Sequence, residues 1–276
     1  MSLWQLLTSS FVIHAFFAIT AVALAAGVVG YFVVLRRQAF AAHAIGHIGF
    51  AGAAGAILIG WSPLVGLLIF CVTAGILVGV AGASLDDRDT VVGVTLTGAL
   101  GLGVLFLSLY SGYANATYSI LFGQVLGVSV SDIRTVSLVS ALVVASIVVI
   151  FRPLLFSSVD SQSAASRGIS NQLMSVLFMT LLALTTVVAV QVVGILLVFS
   201  LLVAPAAAAE ALTSHPIRAV FLSVGLGLFA GWFGLFLAVW LGGPVSFWIT
   251  ALASLTYVVA RASDSLKTQR LRKARV

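Results

Sequence analysis

The sequence predicts an all-α fold, a polytopic bundle of eight or nine membrane-spanning helices. Three observations predict it: the scarcity of charge, the length of the uncharged runs, and the placement of the few basic residues. Of 276 residues, 62% are apolar and only 7% are charged, against roughly 25% charged in an ordinary soluble domain. One soluble core of this size cannot hide so much apolar surface, whereas a bilayer can.

The uncharged runs are long enough to cross one. A helix needs about 20 apolar residues to span roughly 30 Å of hydrocarbon. Residues 1–35, 38–85, 90–131, 168–209 and 219–260 contain no Asp, Glu, Lys or Arg. They are continuously apolar and lack the alternating segments of about ten residues that mark a membrane β-barrel, so the spans are helical. Nine are expected, at about 11–35, 40–60, 63–83, 90–110, 131–152, 171–191, 194–213, 217–240 and 245–262. Only residues 191–194 separate the sixth from the seventh. A half-helix there, with eight spans in all, is the alternative. The first run has no basic leader and an apolar part longer than that of a signal peptide, so it is expected to be a retained span.

The formal net charge of +6 is concentrated at the C-terminus, where residues 261–276 hold six basic side chains and one acid. A basic segment just past a span belongs on the cytoplasmic side, near anionic lipid headgroups. Nine spans then put the N-terminus outside and the C-terminus inside. Arg36, Arg37, Arg88, Arg152, Arg167 and Arg218 fall inside with the tail, and only Arg134 falls outside. This divides the chain into a membrane-spanning domain, 1–262, and a basic cytoplasmic tail, 263–276. No aromatic-interleaved basic surface exists for nucleic acid, which leaves membrane lipids as the partner of that charge. Trp61-Ser62-Pro63 and Gly242-Gly243-Pro244 break apolar runs where outer loops are required. Trp61, Tyr110, Tyr113 and Tyr118 suit an outer interfacial belt. The one cysteine, Cys71, lies in an apolar run and reads as a buried small hydrophobe.

Ionisable side chains inside spans are costly and therefore informative. His43 and His47 are four residues apart, which puts both imidazoles on one helix face, one turn apart. Two such rings can share a transition-metal ion; the alternative is a pair hydrogen-bonded within the bundle. A zinc hydrolase would need glutamate after the first histidine, and Ala44 stands there. The only glutamate, Glu210, near the inner end of the seventh span, and His14, at the outer end of the first, are further candidate ligands. Glu210 pairing with Arg218 or lipid, and His14 in an interfacial hydrogen bond, are the structural alternatives. The acidic turn at Asp86, Asp87 and Asp89 reads as a cap for the fourth span. Residues 160–168 (DSQSAASRG) predict a short helix between Asp160 as N-cap and Gly168 as stop. No GxxxxGK[ST] nucleotide loop occurs, so any ATP that drives this protein is bound by another chain.

Four stretches resemble the metal-ion permease family of ABC importers, whose members carry zinc, manganese or iron. They are 32–40 (FVVLRRQAF) with the histidine motif after it, 121–127 (LFGQVLG) followed by Asp132, 160–168, and 193–209 (VGILLVFSLLVAPAAAA). The resemblance implies a homodimeric transporter subunit of the bacterial cytoplasmic (inner) membrane and no enzyme. It would work with a dimer of cytoplasmic ATPases and an extracytoplasmic metal-binding protein, and hold no permanent cofactor. Asp160, Ala164, Arg167 and Gly168 would form the ATPase-coupling helix, and His43 and His47 the intramembrane metal contact. The family pattern Gly-Asp-Ala-x-Ser-His is departed from here. His43 stands at its aspartate and Gly46 at its serine, and Ala208 replaces a family threonine. Nitrogen in place of oxygen favours a borderline ion over a hard one, so zinc is expected over manganese or iron. An ion-coupled secondary carrier without an ATPase is the rival; such carriers commonly hold carboxylates at mid-membrane, and this chain has none deep in a span.

Overall fold

The computed structural model describes residues 9–81, 88–110, 123 and 125–273. Asp86 and Asp87 of the expected acidic turn, the belt residues Tyr113 and Tyr118, and Leu121, Phe122 and Gln124 lie outside the described residues.

Among the described residues there are ten α-helices, one 3₁₀ turn (Val125–Gly127) and no strand. The first four helices are α1 (Ser10–Leu35), α2 (Ala39–Leu58), α3 (Pro63–Ala81) and α4 (Arg88–Leu109). A long helix, α5 (Val130–Val159), leads into a short one, α6 (Ser161–Ser166). Four more complete the chain: α7 (Asn171–Val193), α8 (Ile195–Leu212), α9 (Pro216–Leu241) and α10 (Val245–Lys273). All but α6 and α8 are long and apolar enough to cross a membrane, making eight candidate spans. The short helix α8 accounts for the ambiguity between eight and nine. It has 18 residues, about 27 Å at 1.5 Å per residue, and follows α7 with a single residue between. That residue, Gly194, serves as both C-cap and N-cap at φ 84° and ψ 161°, a conformation open in practice only to glycine.

Elsewhere the breaks fall where the sequence places them. Pro63 opens α3, and Gly242 and Gly243, both at positive φ, separate α9 from α10. Asp89 lies in the first turn of α4, where a carboxylate suits the helix dipole. Helix α10 runs unbroken past residue 262 as far as Lys273.

Helices α1, α2 and α7 form the buried centre, while α4, α5 and α10 turn most of their surface outward. Helix α1 packs against α5, α8 and α9, and α7 against α3 and α5. Small residues allow very close approach, as between α2 and α3. There Gly52 and Gly66 face each other so closely that a Cβ on either would run into the other's carbonyl oxygen. Dispersion between such surfaces, rather than a hydrophobic gradient, holds helices together in lipid.

Arg36, Arg152, Arg167 and Arg218 gather at one end, away from Arg134 at the start of α5. Arg36 hydrogen-bonds Ser157 and Ser158 at the end of α5, Arg167 lies over the Phe156 ring, and Arg152 shares a cavity with Arg218. Trp61, Asp132 and Gln191 lie at helix ends on the other side. This clustering is the pattern that the positive-inside rule describes.

Candidate functional site

His43 sits in the second turn of α2, with its side chain exposed, and His47 one turn further on, half-buried. Their ring centroids are 4.5 Å apart at an interplanar angle of 62°. The Phe199 ring of α8 lies edge-on to His43 at 5.2 Å. Phe199 lies in the second turn of α8, so the contact joins the N-terminal turns of the two helices. Two imidazole nitrogens and an open outward side can bind an ion without enclosing it. At Gly46, a Cβ would meet methyls of Thr186 and Val198 at 3.7 Å, ordinary contact, so packing does not force the loss of the family serine there.

Glu210 and His14 do not join the pair. Among the described residues no group of three or more His, Cys, Asp or Glu is arranged to hold a metal. Glu210 lies 11 positions beyond Phe199 on α8, about 16 Å along the axis. It lines a separate cavity of about 550 Å³ with Tyr257, Arg261 and Asp264. His14, partly buried, lies in the second turn of α1. The side chain of Arg218 lines a different cavity from that of Glu210.

The expected helix at 160–168 is present as α6. The Asp160 carboxylate accepts the Ser163 N–H at 3.0 Å as N-cap. Gly168, at φ 81°, closes the helix through paired bonds from its own N–H to Ala165 and from Ile169 N–H to Ala164, the Schellman arrangement. Ala164 is fully buried and Arg167 exposed, so the helix is pinned by one small face and free on the other. Hydrogen bonds from Ser163, side chain first and then backbone, hold the Asp160 carboxyl below its ordinary 3.8. A depressed pKa means that the cap's contribution is present above the unfolded value and lost as pH falls through the folded one. The protection of α6 amides, with the intrinsic pH dependence of exchange divided out, is therefore expected to be flat from neutral pH down to about 4 and to fall below it. An Asp160→Ala variant should show the lowered protection at every pH.

The family model described as the ABC 3 transport family matches residues 8–264. The chain belongs to that family. A manganese transport system membrane protein, MntC, of Halalkalibacterium halodurans is 34% identical over 130 residues, 47% of this chain and 44% of the relative. The manganese import system permease protein ScaB of Streptococcus parasanguinis is 31% identical over 123 residues, 44% of each. These matches span less than half the length of the curated relatives. The solved structure of PsaBC from Streptococcus pneumoniae in complex with Fab superposes with a TM-score of 0.83 at 28% identity, covering 95% of this chain and 97% of that one.

In this ABC 3 family chain one residue of the FVVLRRQAF stretch does more than sequence reading assigns it. Arg36 donates to Ser158 at 3.1 Å and Ser157 at 3.4 Å, and its guanidinium lies 5.4 Å from the Phe178 ring centroid. It ties the α1–α2 turn to α5 and α7, just ahead of α6 on one side and the histidines on the other. A contact between positions 121 apart leaves no local sequence signal. The next residue, Arg37, sits at φ 54°, a left-handed cap that usually goes to glycine. Losing charged hydrogen bonds of this kind costs about 1.5–3 kcal/mol. Arg36→Ala is expected to lower the melting temperature of the purified protein, and Arg37→Gly to leave it equal or higher.

Proposed function

We propose that this chain is the membrane-spanning permease subunit of an ABC importer for a divalent transition-metal ion. The observation that carries the reading is the His43–His47 pair on an otherwise apolar helix, long enough to cross a membrane, with the pair open to one side. A site meant to pass an ion onward needs incomplete coordination, because a closed four-ligand shell would retain it. The exposed side of His43 leaves room for ligands from water or from a second copy of the chain. In this reading α6 docks on a cytoplasmic ATPase, its buried Ala164 fixing it to the bundle and its exposed side meeting the partner. A binding protein outside the membrane supplies the ion. The names of the relatives and the PsaBC superposition support this placement. They give no support to a secondary carrier.

The choice of ion rests on two opposed arguments. His43 in place of a family aspartate favours a borderline ion such as zinc. The relatives above are named for manganese, and nothing in the comparisons favours zinc over it. Elemental mass spectrometry on cells lacking the chain, and on complemented cells, separates the two under zinc and then manganese limitation. A manganese deficit restored by complementation would assign manganese, and a zinc deficit zinc. No deficit in any transition metal would remove the metal assignment.

A further inference from the structure

We propose that the cavity between the basic-end turns of α5 and α9 binds the headgroup of an anionic phospholipid. This goes beyond the transport role and rests only on the membrane placement of the chain. The cavity is about 520 Å³ and is lined by Arg152 and Arg218, by His215, and by Phe151, Leu155 and Ile217. Among the described residues no carboxylate lines it. Neither arginine has a hydrogen-bond or ion-pair partner among the described residues.

Three features select the occupant. Guanidinium groups recognise phosphate through paired N–H donors, and two of them converge here without a counter-charge. Helix α9 starts at the cavity with Pro216 in its first turn and no side-chain cap from His215. Its unpaired first-turn N–H groups and dipole add to the positive field. The wall is apolar. Phe151, Leu155 and Ile217 give a free phosphate ion nothing, yet they suit the glycerol and first methylenes of a lipid. Arg152, Ile217 and Arg218 are exposed, so the cavity opens where a leaflet lies. Arg218 stands in the first turn of α9 and Arg152 about two turns before the end of α5, both on helices long and apolar enough to cross a membrane. They lie at the end that the positive-inside rule gives to the anionic cytoplasmic leaflet.

Each arginine near an anionic surface contributes about a factor of five in binding. The full-length protein in neutral detergent, offered equal phosphatidylglycerol and phosphatidylcholine, is therefore expected to retain the anionic lipid about tenfold or more over the neutral one by native mass spectrometry. Arg152→Gln with Arg218→Gln should remove that preference. An unchanged preference in this variant would overturn the proposal. Displacement by millimolar inorganic phosphate as readily as by lipid would make the site one for free anions and overturn it too. Should the double variant fail to fold, photoactivatable phosphatidylglycerol in vesicles tests the wild-type chain directly. Adducts at residues 151–155 and 215–218 are expected. Adducts only elsewhere would sink the lipid assignment, and protection of these residues by the ATPase subunit instead would hand the cavity to a protein partner.

Discussion

Replacing both His43 and His47 with alanine is expected to reduce metal uptake to background while leaving the bundle folded. Loss of even the outer-shell support of a metal ligand typically costs 10–100-fold, so removal of two ligands should cost about 100-fold or more. The fold should tolerate the change, because His43 is exposed and His47 half-buried and alanine is the best helix former. Uptake by cells or proteoliposomes, read beside thermal unfolding of the same preparation, checks both halves. Unchanged uptake by a folded double variant would remove the histidines from the ion's path. His43→Asp restores the oxygen donor of the family pattern and should move preference toward manganese relative to zinc. Gly46→Ser should be tolerated, given the ordinary spacing around that position.

The second large effect is structural. Gly52→Leu is expected to push α2 away from α3, because its Cβ already meets the Gly66 carbonyl and the Phe70 side chain. Backbone cannot swing aside as a side chain can. Overpacking typically costs about 1–3 kcal/mol and more where relief is blocked; a loss at or above the upper figure is expected here. The readout is a lowered melting temperature in detergent and reduced yield of monodisperse protein. Gly98→Leu, on an open part of α4 with nothing within 4 Å, is the matched control and should change little.

Much of this architecture is legible in the sequence because hydrocarbon permits so few alternatives. Uncharged length alone finds the long spans, and Pro63 and the 242–244 turn mark their ends in chemistry that admits one reading. Asp160 and Gly168 likewise announce α6. What stays hidden depends on distant partners. The break at Gly194 could be suspected from the crowding of residues 191–194, but its single-residue form follows from the backbone angles that glycine adopts there. Arg37 as a left-handed cap contradicts the usual preference, so no propensity rule finds it. The meeting of Phe199 with His43, and of Arg36 with Ser157 and Ser158, joins residues far apart in a sequence where nearly every helix is apolar all round. With no polar face to orient each helix, periodicity does not say who neighbours whom. The histidine pair is legible by spacing, whereas the separation of Glu210 from it requires knowing how far along α8 the two lie.

Asp160 ends α5 and begins α6, so one residue is all the slack between a helix of 30 residues and the short helix at its tip. At 1.5 Å per residue α5 is about 45 Å long, longer than the hydrocarbon is thick. A push on α6 therefore has no hinge loop in which to dissipate. It would arrive at the last two turns of α5, beyond Pro153, where Ser157 and Ser158 are bolted by Arg36 to the turn that starts the histidine-bearing helix. The number of flexible joints between α6 and the histidine pair is thus very small. A linkage of that kind behaves as a rocker rather than a spring, and inserting even two glycines after Val159 should uncouple its ends while leaving each folded.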